Sequence, residues 1–119
     1  MQKEQLLNII KTVLEDVKAK DVKILDVQEI SSITDTIVIA TGTSSRQVIA
    51  IAERIIEKVK AQGGKALGIE GRETGEWVLV DLGDVVVHSM LPQTRDFYQL
   101  EKLWHNSNDD PMREKLHRT

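Results

Sequence analysis

Trp77-Val-Leu-Val-Asp-Leu-Gly-Asp-Val-Val-Val-His-Ser-Met-Leu91 is a near-continuous apolar run interrupted once, by Asp-Leu-Gly-Asp. β-Branched residues on either side of a glycine turn predict two strands, 77–82 and 85–91, joined tightly through Gly83 as an antiparallel hairpin. Both faces of that hairpin are apolar: Trp77 and Leu79 oppose Val78 and Val80, while Val85, Val87 and Leu91 oppose Val86 and Met90. All four aromatic residues, Trp77, Phe97, Tyr98 and Trp104, fall in or after this stretch, in the last third of the chain. Large aromatic side chains dominate the energetics of cores and interfaces, so contact energy is concentrated here.

Upstream, Thr36 to Thr41 is a β-branched run that reads as a buried strand, and Gly42-Thr-Ser-Ser45 breaks it. Ser44 with Gln47 three residues later makes a capping-box pattern. Val48, Ile51, Ala52, Ile55, Ile56 and Val59 then keep one apolar stripe, which predicts a helix ended by Gly63 and Gly64. Nearer the N-terminus, Leu6, Ile10, Val13, Leu14 and Val17 recur at helical spacing over about 3–19. Between these helices, Leu25 and Val27 alternate with Asp26 and Gln28, so Ile24 to Ile30 reads as a half-exposed strand toward a sheet edge. Ala66 to Ile69 is a short extended piece, and Pro92 precedes a last helix over about 94–104.

From Asn106 the periodicity stops, which predicts a domain over 1–105 and a flexible tail over 106–119. The order helix, strand, strand, helix, three strands, helix gives a single α/β domain with a mixed sheet of about five strands and three helices. Three helices cover one face of such a sheet and hardly two. Part of the hairpin's second face is therefore expected to meet another protein.

A chain of 119 residues fits one domain with a core that needs no staples. It has no cysteine, which removes disulfides, thiolate metal sites and cysteine nucleophiles and suits a reducing, cytoplasmic setting. No apolar run approaches the roughly 18 residues that cross a bilayer. With 16 basic against 19 acidic residues, the net charge of -3 gives no general attraction to phosphate backbones. An acidic protein that works near nucleic acid does so through a basic protein.

Thr43, Ser44, Ser45 and Arg46 pass from a strand into a helix N-terminus, where free N–H groups and the helix dipole favour anions, so they are a candidate phosphate site. The plainer reading is a helix cap with a turn glycine, because neither the spaced glycines nor the lysine of a Walker loop is present. A Gly-Ser turn opening a helix also occurs in nucleotidyltransferases, whose chemistry needs two carboxylates on a following strand to hold magnesium ions. That pair is missing from every expected strand. A nucleotide-binding or nucleotidyl-transfer enzyme using the Gly42–Arg46 turn stays as the alternative reading.

Asp81, Asp84 and His88 cluster in the hairpin, and a carboxylate beside an imidazole can act as a base or hold a metal. Asp-x-x-Asp-x-x-x-His is unspecific spacing, however, and turn structure or partner contact explains the same residues. Neither a metal site nor a cofactor is expected. Among the aromatics, Phe97 and one tryptophan are assigned to the core, and at least one of Trp77, Tyr98 and Trp104 to an interface.

The runs Ser32-Ile-Thr-Asp35, Ile39-Ala-Thr-Gly-Thr-Ser-Ser-Arg-Gln-Val48, Glu70-Gly71, Trp77 to His88 and Arg95-Asp-Phe-Tyr-Gln-Leu-Glu-Lys-Leu-Trp104 closely resemble the ribosomal silencing factor family, also called Iojap-related proteins. The similarity covers about residues 3–105. Thr36 and Ser89 depart from the family's usual residues, which are bulkier at the first position and often aromatic or valine at the second. The resemblance implies a nucleotidyltransferase-like fold without catalytic carboxylates. It also implies binding to the large ribosomal subunit through the fourteenth of its proteins, on the intersubunit face, with little direct nucleic-acid contact. Small-subunit joining is then blocked sterically, and translation slows when nutrients are scarce. Carried onto this chain, the family's contact surface comprises Trp77, Asp81, Asp84, His88, Met90, Tyr98 and Leu100. A homodimer of the free protein through the same hairpin is a further expectation.

Overall fold

The structure, a computed structural model, describes residues 1–29, 31–32 and 34–99. They form α1 (Lys3–Asp16), β1 (Lys20–Asp26), β2 (Thr36–Thr41), α2 (Ser45–Ala61), β3 (Gly68–Glu70), β4 (Trp77–Asp81), β5 (Val85–Met90) and α3 (Pro92–Tyr98). The five strands make one mixed sheet in the order β1-β2-β5-β4-β3, with only β2 and β5 parallel. β4 and β5 are the expected hairpin. Its turn closes with the Leu82 N–H donating to the Val85 carbonyl at 2.9 Å, and Gly83 sits at φ +88°, where a β-carbon would be strained.

α1 stops three residues before the sequence pattern does. Lys18 turns left-handed at φ 56°, its N–H donates to the Glu15 carbonyl, and the Ala19 N–H reaches back to the Leu14 carbonyl at 2.9 Å. That is a Schellman ending built without glycine, which is why the apolar periodicity through Val17 overran it. At the end of α2 the expected glycines do the same work, Gly63 N–H donating to Lys60 and Gly64 N–H to Val59.

β1 is an edge strand as expected, but it is shifted toward the N-terminus, to Lys20–Asp26 instead of Ile24–Ile30. Lys20 lies opposite Thr41 and Lys23 opposite Ile39, so three residues of β1 span two of β2 and Asp21 bulges out at φ 48°. The bulge lets a polar stretch join the sheet, which alternation alone does not reveal. α3 begins at Pro92, two residues before the expected start, with the proline in the first turn, where its missing N–H costs nothing. The expected continuation to 104, with Trp104, and the tail 106–119 lie outside the described residues.

α1 and α2 lie on the same face of the sheet. Ile10, Val13 and Leu14 of α1 and Val48, Ile51, Ile55 and Val59 of α2 pack against Val38, Ala40, Val78, Val80, Val85 and Val87, the alternate residues of three strands. Ile51 and Ile55 are wholly buried, and truncating either to alanine costs about 2–5 kcal/mol. The opposite face carries a smaller cluster of Val27, Ile37, Ile39 and Met90, edged by Leu25 and Trp77. The middle of this second face is thus buried within the chain, which narrows the part of it that was expected to meet another protein. What is exposed there is its rim, where the hairpin meets α3.

Candidate functional site

The register of the hairpin places Trp77 opposite Met90 and Leu79 opposite His88, so these four side chains share the second face. The Trp77 Nε1–H donates to His88 Nδ1 at 2.9 Å. On its other side the indole packs against the Tyr98 ring at 4.9 Å between centroids, and Tyr98 meets Phe97 edge-on at 5.0 Å. Exposure rises along this row: Met90 is 0% exposed and His88 6%, Trp77 is half-buried, Tyr98 is 55% exposed and Phe97 80%. Offset and edge-to-face aromatic pairs contribute about 0.5–1.5 kcal/mol each beyond their buried area. The row is a rigid support at one end and accessible at the other.

α3 presents the accessible end. It has only seven residues, too few to hold itself as a helix, and buried Arg95 ties it to the sheet. The Arg95 guanidinium donates to the Thr41 hydroxyl at 2.8 Å and to the Asp21 carbonyl at the β1 bulge. Burial pushes the His88 imidazole down to about 4, so it is neutral at ordinary pH.

The acidic residues stand apart from the aromatics. Asp81 lies on the same face as Trp77 but four residues on along β4, about 13 Å away. Its carboxylate accepts the Gly83 N–H at 2.9 Å, the turn role that the sequence allowed. Asp84 is exposed, and its carbonyl accepts N–H bonds from Asp35 and Thr36. The ion pairs among the described residues, Lys3 with Asp35 and Arg72 with Glu53, leave Asp81 and Asp84 out. No three histidine, aspartate or glutamate side chains among the described residues converge as a metal site would require.

At the α2 N-terminus the capping box forms with a variation. Ser44 Oγ accepts the Gln47 N–H at 3.1 Å, while Gln47 Oε1 accepts both the N–H and the hydroxyl of Thr43. The amide of Gln47 donates to the Val17 carbonyl, so one side chain joins the end of α1 to the start of α2. Gly75, at φ +70°, lies so close that a β-carbon there would come within 2.9 Å of Ser45 Cβ. Thr43 and Ser44 are engaged in the cap, Ser45 lies under the 71–76 turn, and Arg46 is exposed.

Of the seven expected contact residues, Trp77 and Tyr98 come together in the accessible row. Met90 and His88 lie beneath it, Asp81 and Asp84 stand at the far end of the hairpin, and Leu100 falls outside the described residues. Met90 in particular has no surface to offer a partner, because it packs in the small second-face cluster. Phe97 was expected in the core; it is instead the most exposed large apolar residue described, because the Arg95 anchor turns the opposite side of α3 inward. Arg95 opens one of the runs that carry the family resemblance, but nothing in the sequence marks it as a buried anchor rather than one more helix-surface charge.

The fold and this surface define a small α/β domain with a row of aromatic residues exposed at one end of its central hairpin and acidic residues at the other, the composition of a protein-contact surface. The family model described as "Ribosomal silencing factor during starvation" matches residues 1–119. A ribosomal silencing factor from Chromobacterium violaceum is 46% identical over 104 residues, spanning 87% of this chain and 85% of that protein. A crystal structure of a Chromobacterium violaceum protein, 45% identical, superposes with a TM-score of 0.85 and covers 89% of this chain and 88% of its own. The mouse protein named mitochondrial assembly of ribosomal large subunit protein 1 is 34% identical over 101 residues, 82% of this chain and 44% of the mouse protein. This chain belongs to the ribosomal silencing factor family, a family of ribosome-associated translation regulators rather than known enzymes.

Proposed function

We propose that this chain represses translation in the cytoplasm by binding the large ribosomal subunit and obstructing the small one. The contact is a ribosomal protein on the intersubunit face, the fourteenth of the large-subunit set, and scarcity of nutrients is the condition in which it acts. No chemical step is involved: a bound molecule occupies part of the joining surface, so subunit association competes with it.

The observation that carries this reading is the row of rings from Trp77 through Tyr98 to Phe97, anchored at one end and exposed at the other. Rigid aromatic residues dominate protein-binding hot spots. Asp81 and Asp84 suit a basic ribosomal protein, where rim charges set orientation and on-rate more than affinity. A net charge of -3 disfavours direct RNA contact. The name of the mouse relative, which refers to the large subunit, points the same way. Among the described residues no helix is long and apolar enough to cross a membrane.

Sucrose-gradient profiles test the proposal. Added protein should shift joined ribosomes toward free subunits and sediment with the large one, and Tyr98→Ala should weaken both effects. An unchanged profile at saturating protein would defeat it.

A further inference from the structure

Trp77 and His88 sit on neighbouring strands but on different rungs, since Trp77 pairs with Met90 and His88 with Leu79. The indole leans along the sheet to bring Nε1 within 2.9 Å of His88 Nδ1. An indole N–H only donates, so Nδ1 must be the bare nitrogen of the imidazole and the ring proton sits on Nε2. His88 is buried between Ile39 of β2 and Leu79 of β4, out of reach of any partner. Apolar packing alone leaves a tryptophan its broad, two-fold choice of ring orientation. A hydrogen bond to one edge of an asymmetric ring removes that choice.

We infer that His88 is a positioning residue for recognition: it fixes the orientation of the Trp77 indole and, through the ring contact at 4.9 Å, that of Tyr98. The accessible row is thereby ordered before any partner arrives, and affinity gains because less side-chain freedom remains to be lost on binding. The inference rests on the proposal that this row meets the large subunit. It gives His88 a role in place of direct contact.

The test uses the full chain labelled with nitrogen-15, with the two indole signals distinguished by Trp104→Phe. His88→Leu removes the acceptor and keeps an apolar side chain, and His88→Asn returns an oxygen near the place of Nδ1. In His88→Leu the Trp77 indole N–H resonance should move upfield and exchange faster with water, and the Tyr98 ring signals should move with it. Binding to purified large subunits should weaken roughly five- to tenfold. His88→Asn should recover part of each effect.

An unmoved indole resonance in His88→Leu overturns the inference. So does a moved resonance with unchanged affinity when Trp77→Ala still weakens binding. Should His88→Leu fail to fold, Trp77→Phe interrogates the same bond from the donor side: the His88 Nδ1 signal must shift, and a fixed signal overturns the assignment. If Trp77→Ala leaves subunit binding untouched, the ribosomal role of the surface fails, while the spectrum of the free protein still decides what His88 does.

Discussion

The guanidinium of Arg95 on α3 donates to the hydroxyl of Thr41, the last residue of β2, at 2.8 Å and across 54 positions of sequence. With its second bond to the Asp21 carbonyl, this single side chain holds the last described helix, the parallel centre of the sheet and the β1 bulge together. Replacing Arg95 with methionine should destabilise the domain by about 2–3 kcal/mol, since buried hydrogen bonds to a charged group are lost. Urea unfolding measures it, and a change within experimental error would show that α3 is held by other means.

Stability should depend on pH through His88. Its pKa falls from 6.5 to about 4 on folding, so between those values the unfolded chain takes up a proton that the folded one refuses. The contribution is complete above pH 6.5 and is lost as pH drops toward 4, a difference of about 3 kcal/mol. His88→Leu should therefore flatten the acid limb of a stability-versus-pH curve, and parallel curves would contradict the burial of a neutral ring.

Gln47 is expected to matter more than a surface glutamine should. Gln47→Ala strips the cap from Thr43 and the link to the Val17 carbonyl. A loss of about 1–2 kcal/mol follows from one cap plus one interhelical bond. Thermal unfolding would expose an error, because a Tm equal to that of the parent leaves no room for either term.

Tyr98 and Met90 should separate binding from folding. Tyr98→Ala removes an exposed ring and should cost little stability but at least about tenfold in affinity for the large subunit, in the range of hot-spot residues. Met90→Ala opens a cavity in the second-face cluster and should lower stability by about 2–5 kcal/mol. Paired denaturation and sedimentation measurements decide the matter, and a reversal of the two patterns would refute the placement of these side chains.

Periodicity and turn chemistry made the hairpin, the capped α2 and the mixed sheet legible in the sequence, because apolar spacing and glycine position are local signals. The register of β1 was not legible, since it depends on a bulge held by a side chain more than seventy positions away. The same distant bond explains the error over Phe97: which side of a short helix faces inward is settled by Arg95, not by the aromatic residue itself. Trp77 and Tyr98 were recognisable as candidates, yet their ring contact and the supporting imidazole are products of the fold. Met90 shows the converse, since an apolar residue on the right face of the right strand can still be sealed beneath its neighbours.

β5 lies between β2 and β4 although it is the last strand among the described residues. Until residues 85–90 have been synthesised, β1–β2 and β3–β4 are two strand pairs with no shared neighbour, and non-local pairing must wait for the missing piece. A half-made copy has neither His88 nor the helix that carries Tyr98. If the ring row is the ribosomal contact proposed above, a growing chain cannot use it on the particle that is building it until its last described helix is made.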